Sequence, residues 1–207
     1  FIFPLHGRIV LMTTLFEPGK IAKLELRNRL VRSATAERMA DHEGRPRPQL
    51  VKFYEELARG GIGLIITGHM YVHPSGKAHP EMTGIYKDNL IPDLEWLAET
   101  IHKHGSKAVV QINHGGRQSY KDSVAEPIAP SAIEDRQPQD ANPAREMTVA
   151  EIEMLIHAYA QGAWRAKAAG FDGVQIHSAH GYLISQFNSP FTNRRTDEWG
   201  GNLENRT

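Results

Sequence analysis

Short apolar runs that alternate with amphipathic helical segments predict an α/β fold with a parallel sheet. The order reads βα βα βα β, which implies strands joined by right-handed crossovers. Two architectures share that order, a doubly wound open sheet and a (β/α)8 barrel. Nucleotide-binding open sheets place a Gly-rich turn after the first strand, whereas here that strand runs into "SATAERMAD" with no glycine. Polar groups instead stand at the carboxyl end of every strand, the face on which a barrel builds its active site. The prediction is therefore a (β/α)8 barrel, of which this chain supplies roughly the first four βα units.

The elements follow in order. "RNRLVRSATA" (27–36) is the first strand candidate, with Leu30 and Val31 at its centre, ending on Ser33 and Thr35. "PQLVKFYEELARGG" sets Leu50, Phe53, Tyr54, Leu57 and Ala58 on one helical face, and Gly60–Gly61 stop the helix. "IGLIITG" (62–68) is a continuous β-branched run suited to a strand covered on both faces, and it leads into His69. "NLIPDLEWLAETIHKHG" carries Leu94, Leu97, Ala98 and Ile101 at helical spacing, with Gly105 past its last turn. "KAVVQIN" (107–113) is the third strand, with Gln111 and His114 near its end. Residues 114–147, rich in Pro, Gln and Asp, have the composition of a surface loop. "TVAE" (148–151) is a capping box that opens a helix of about 20 residues ending at Gly170. "FDGVQIH" (171–177) is the fourth strand, delivering His177 and His180.

Composition bounds the function. The 207 residues are 40% apolar and 23% charged, with 24 basic and 24 acidic side chains, so no charge excess argues for nucleic acid or an acidic membrane surface. The alternation Arg27/Arg29/Arg32 reads as bracing of a strand. With no cysteine, disulfides, thiolate metal sites and cysteine nucleophiles are excluded from this segment. No run approaches the ~20 apolar residues of a membrane span. "FIFPLHGRIVLM" contains Pro4, His6 and Arg8 and no small-residue cleavage site, so it does not read as a signal peptide. Met12 looks like a natural start. Residues 1–11 are then an upstream or added extension, and 12–207 one part of a single domain, expected to be cytoplasmic.

Spacing alone leaves the chemistry open. "HSAH" places two imidazoles where they can converge on one carbonyl or carboxylate oxygen, ligate a metal, or simply face solvent as loop residues. No third metal ligand of matched spacing is evident. Tyr182 can donate a proton into the same pocket or serve as a packing residue. Gln111 offers an amide that both donates and accepts, which suits a heterocycle edge as well as a satisfied core. In "RRTDEWGG" the arginines and Asp197 brace one another while Gly200–Gly201 permits a tight turn.

"HSAHGYLISQFNSPFTNRRTDEWGGNLENR" resembles the signature of the Old Yellow Enzyme family, the NADH:flavin oxidoreductases and FMN-dependent ene reductases. "LFEPGKIAKLELRNRLVRSATAE" and "VVQINHGGRQS" match in the family's order, so the resemblance covers residues 12–207. It implies a (TIM) barrel holding tightly bound FMN, with NADH or NADPH as reductant and a small enone or related activated alkene as substrate. By position, Ser33, Ala34, Thr35, Ala36, His69, Gln111 and His177 would contact FMN. His177 and His180 would hold the substrate oxygen, and Tyr182 would be the proton donor. No metal ligand set and no nucleic-acid or membrane partner is implied; a homo-oligomer is expected. Ala36 stands where many members carry Cys or Thr, and Arg38 where some carry an aromatic lining the substrate site. Arg38 therefore joins His177, His180 and Tyr182 as a substrate-site residue. Four strands are half of a barrel, so the segment is expected to be the N-terminal half of an enzyme. Two alternatives stand beside the ene reductase: an iron–sulfur-containing relative of dienoyl-CoA reductase or amine dehydrogenase type, and a non-catalytic, self-associating half barrel.

Overall fold

The computed structural model describes residues 2–5, 8–11, 14–134 and 139–207; Met12, the expected start, lies outside them. β1 (Ile2–Leu5) and β2 (Arg8–Leu11) pair antiparallel. A second hairpin, β3 (Gly19–Ile21) with β4 (Leu24–Leu26), precedes the main sheet. Four parallel strands then follow: β5 (Val31–Arg32), β6 (Leu64–Tyr71), β7 (Lys107–Asn113) and, after the short strands β8 (Ile128–Ala129) and β9 (Arg145–Glu146), β10 (Gly173–Ile176). They lie in the order β10-β7-β6-β5, each beside its predecessor in sequence, as the neighbouring strands of a barrel do.

The three crossovers are helical. α1 (Pro48–Arg59) begins with proline, whose missing N–H is no loss at a helix start, and buries Leu50, Val51, Tyr54 and Ala58. α2 (Ile91–His102) buries Leu94, Leu97, Ala98 and Ile101. These side chains meet Ile65, Met70, Ala108, Val110 and Ile112 of the strands in one core. In α3 (Val149–Ala168) the predicted capping box is formed: Thr148 Oγ1 accepts from the Glu151 N–H, and the Glu151 carboxylate accepts from the Thr148 N–H. Two short helices, α4 (Leu183–Asn188) and α5 (Leu203–Arg206), follow the last strand.

Boundaries moved in instructive ways. The first strand is two residues, not ten, because Arg27 and Asn28 turn to bind helix and loop ends. Arg27 donates to the carbonyls of His104 (2.7 Å), Ala58 (2.9 Å) and Ile62 (3.0 Å). The second strand extends through Tyr71, so His69 lies within it and not beyond it. The 114–147 connection is partly folded under: Ile128, Ala129, Ser131 and Arg117 are buried. Asp172 pins the start of β10. Its carboxylate accepts from the Ala108 N–H (2.8 Å), His102 Nε2 (2.7 Å) and Lys107 Nζ (3.0 Å). Burial opposes its ionisation, but these donors hold its pKa below the usual value. On the last strand Val174 and Ile176 remain 40% and 57% exposed.

Candidate active site

Four consecutive strands each deliver a polar group or a strip of small residues toward their carboxyl ends. His69 stands on β6 opposite Gln111 of β7, and Gln111 stands opposite Gln175 of β10. His177 follows β10 directly. Its ring lies 5.1 Å from His180, 4.9 Å from Tyr182 and 5.7 Å from His69, between centroids. Tyr182 closes the set, 5.2 Å from His69. The loop between them turns sharply because His180 and Gly181 are both left-handed, at φ +54° and +71°. Two glutamines hold that turn. Gln118 Nε2 donates to the His180 carbonyl at 2.7 Å. Gln186 Nε2 donates to the carbonyls of Gly181 (2.6 Å) and Gly115 (3.2 Å), while its Oε1 accepts from the Arg117 N–H (3.2 Å). Gly116, left-handed at φ +58°, is needed for this, because a Cβ there would collide with Gln186.

Burial holds the rings of His69 and His177 toward the neutral form. His177 Nδ1 accepts from the Ala179 N–H at 3.2 Å, so the neutral ring carries its proton on Nε2, which faces His180 Nδ1 at 3.4 Å. Burial, reinforced by His180, pushes the His177 pKa down. His69 is lowered to about 3, first by burial and then by His79, His177 and His180. Its Nδ1 meets the Asn113 side-chain nitrogen at 2.8 Å. Tyr182 is pushed up by burial and by Tyr120, with Arg38 opposing, and so keeps its proton. His177 therefore offers an uncharged Nε2–H beside the His180 ring, and the Tyr182 phenol next to them keeps its proton.

The other expected residues fall around this centre. Ser33, Thr35 and Ala36 are exposed and Ala34 is half-buried. No side chain on this strip is larger than threonine, so a flat group can approach the backbone. Gln111 is half-buried and donates to Gln175 Oε1 at 2.7 Å. Arg38, also left-handed at φ +54°, donates to Tyr120 Oη at 3.0 Å. His114, one of the polar residues at the strand ends, is not part of the site. It is fully buried, its Nδ1 accepting from the Gly116 N–H (3.1 Å) and its Nε2 meeting Ser75 Oγ (3.0 Å). The arginine–aspartate segment is the brace expected of it. Arg195 binds Asp197 (2.5 Å) and the carbonyls of Pro130 (3.1 Å) and Met147 (2.6 Å), and a Cβ on Gly200 would collide with Arg195.

A supporting cluster was signalled in the sequence only by Arg32, whose bracing role was expected, and not by its partner Glu37. Glu37 Oε1 accepts from Arg32 (2.7 Å), from the Gly68 N–H (3.1 Å) and from the Tyr54 hydroxyl. Arg32 also donates to the carbonyls of Ile66 (2.8 Å) and Thr35 (3.3 Å). These bonds tie the Ser33–Ala36 strip to β6 where its register with β7 shifts, between Ile66 and His69.

A small-residue strip, an amide on a strand end and neutral imidazoles fit a planar heterocycle with donor and acceptor edges, as FMN is. Among the described residues no group of three His, Asp or Glu side chains is placed to hold a metal ion, and no helix is long and apolar enough to cross a membrane.

Comparison with known proteins agrees. Residues 14–207 match the family described as NADH:flavin oxidoreductase / NADH oxidase. An NADPH dehydrogenase of Halalkalibacterium halodurans is 43% identical over 195 residues, 93% of this chain and 56% of that protein. An NADH oxidase of Thermoanaerobacter brockii is 40% identical over 199 residues, again 93% of this chain but 30% of that protein. Among solved structures, the Old Yellow Enzyme homologue from Zymomonas mobilis superposes with a TM-score of 0.85 at 31% identity, over 94% of this chain and 56% of its own. The chain thus spans about half the length of the shorter relatives, and its four parallel strands are part of their (β/α)8 barrel. It belongs to the NADH:flavin oxidoreductase / NADH oxidase family, that of Old Yellow Enzyme, whose cofactor is FMN and whose reductant is NAD(P)H.

Proposed function

We propose that the protein is an FMN-dependent oxidoreductase that takes hydride from NAD(P)H and reduces the activated C=C bond of an α,β-unsaturated carbonyl compound. The observation that carries this reading is the convergence of His177 Nε2 and His180 Nδ1, 3.4 Å apart, beside Tyr182. FMN would lie on the Ser33–Ala36 strip with its polar edge at Gln111, near His69 and His177. When bound, it supplies the hydride that the β-carbon of the alkene takes up.

The chain's own residues do the rest. His177 and His180 donate their N–H groups to the substrate's carbonyl oxygen and draw electron density toward it, which makes the β-carbon electrophilic. Because His177 is neutral and its tautomer is set by the Ala179 N–H, no proton must be lost before it can donate. Tyr182, kept protonated by burial, delivers its hydroxyl proton to the α-carbon.

The test is anaerobic. The flavin-loaded protein is reduced with NAD(P)H and then mixed with a cyclic enone in deuterated water. The expected result is reoxidation of the flavin with one deuterium at the α-carbon of a saturated product, slowed about 100-fold or more in His177→Ala. Flavin that stays reduced in the presence of a panel of enones would overturn the reading. A second reading, the iron–sulfur-containing relative, is favoured by the equal resemblance to relatives of more than three times this length. Iron and acid-labile sulfide in the purified protein would decide for it.

A further inference from the structure

We propose that Arg38 selects substrates bearing a carboxylate beside the activated alkene, an inference that rests on the ene-reductase reading of the same site. Arg38 follows directly on the Ser33–Glu37 segment and is linked through Tyr120 and Ala78 to His79, whose ring lies 5.6 Å from that of His69. Its backbone is left-handed, a conformation that residues other than Gly, Asn and Asp seldom hold without compensation. The compensation is visible. Its guanidinium lies 5.4 Å from the centre of the Tyr120 ring and donates to that residue's hydroxyl at 3.0 Å. Tyr120 is in turn anchored through its N–H to the Ala78 carbonyl (2.9 Å), next to His79.

Elsewhere the chain pairs its site-building arginines with carboxylates: Arg32 with Glu37, Arg195 with Asp197. Among the described residues no carboxylate stands within ion-pair distance of Arg38, so its fork remains open to an anion that arrives from outside. The side chain is exposed, and nothing buries it away from a ligand.

Its charge nonetheless acts on the site. It opposes protonation of His69 and His79 and favours ionisation of Tyr182. His69, His79 and His177 are all held toward the neutral form by burial. A substrate carboxylate would therefore meet a fixed cation at the rim and uncharged donors in the interior. The carboxylate would seat at Arg38 while the ketone oxygen would seat at His177 and His180, which orients the alkene between them. A carboxamide of the same shape offers only one acceptor oxygen and brings an N–H₂ group against the guanidinium.

The experiment compares a cyclic enone carboxylate with its carboxamide isostere in the flavin-loaded protein, measured as kcat/KM. Calorimetric dissociation constants of the two saturated, unreactive analogues are measured alongside. The wild type is expected to favour the carboxylate by about tenfold or more in both readouts. Arg38→Gln should abolish the preference, and Arg38→Lys should keep part of it, because lysine retains the charge but not the fork. No preference in the wild type, or a preference that survives Arg38→Gln, overturns the proposal. If neither enone is reduced yet the analogues still show an Arg38-dependent preference, the ene-reductase reading falls and the anion site stands.

Discussion

Tyr182 is the residue on which the proposed chemistry turns, and its environment explains how it can serve. Burial and Tyr120 raise its pKa, which secures the proton; Arg38 opposes, which keeps the phenol from becoming too weak an acid. Tyr182→Phe removes only the hydroxyl and keeps the ring that packs on His69 and His177. The alkene half-reaction is expected to slow by about 10²–10⁴-fold, and by far more than reduction by NAD(P)H. Stopped-flow measurement of the two half-reactions checks this, and equal losses in both would remove Tyr182 from the proton path. That His177, His180 and Tyr182 lie together was legible in the sequence because they fall within six residues at a strand end, while spacing left their chemistry open. The tautomer of His177 was not, since it depends on the path of the loop that brings the Ala179 N–H to Nδ1.

At the scale of the element, the Ser33–Ala36 strip proposed to carry FMN is held by a brace of which the sequence suggested only Arg32. The partners of Glu37 lie 5, 17 and 31 positions away, at Arg32, Tyr54 and Gly68. In the sequence Glu37 is one acidic residue between an alanine and an arginine; only the fold brings α1 and β6 against it. The same folding fixes Gly68, where a Cβ would collide with Glu37 Oε2 and come within 2.6 Å of the Thr35 carbonyl. The side chains of Arg32 and Glu37 are 13% and 8% exposed, so the pair is buried enough for its loss to matter. Glu37→Gln leaves Arg32 without its counter-charge and is expected to lower the unfolding free energy by about 3 kcal/mol, with weaker FMN retention. Urea titration reads the first and flavin content the second. Unchanged stability would show that the pair is replaceable by a neutral hydrogen bond. Helices α1 to α3 were legible for the opposite reason: their apolar spacing and caps are local, so tertiary context had little to add.

Across the whole molecule, alternation predicted parallel strands joined by helical crossovers, and the glycine-free first turn with polar strand ends selected the sequential strand order of a barrel over a doubly wound one. What alternation does not show is that the sheet's carboxyl end and adjoining loops bury imidazoles that resist protonation until the pH is well below 6.5. His69, His79 and His114 have folded-state pKa values lowered to about 3, 4 and 3 against 6.5 for an exposed histidine, in each case chiefly by burial. The unfolded chain therefore binds protons that the folded chain refuses throughout the interval between those values. Stability is accordingly full above pH 6.5 and falls as the pH drops from about 6.5 toward 4, with a limiting slope of about 1.4 kcal/mol per pH unit for each such ring. His114 isolates the effect, since it lies outside the His69–His177–Tyr182 cluster, and burial is the largest influence on it, ahead of His73. His114→Gln forfeits bonds to Ser75 and Gly116 and lowers stability at pH 7, yet it also removes one proton-binding site from the unfolded chain. The variant's unfolding free energy should therefore decline less steeply than the wild type's between pH 6.5 and pH 4, and the two curves should converge toward acid. Chemical denaturation at a series of pH values measures both slopes. Parallel curves would mean that His114 takes up its proton within the fold, which its burial between Ser75 and Gly116 argues against.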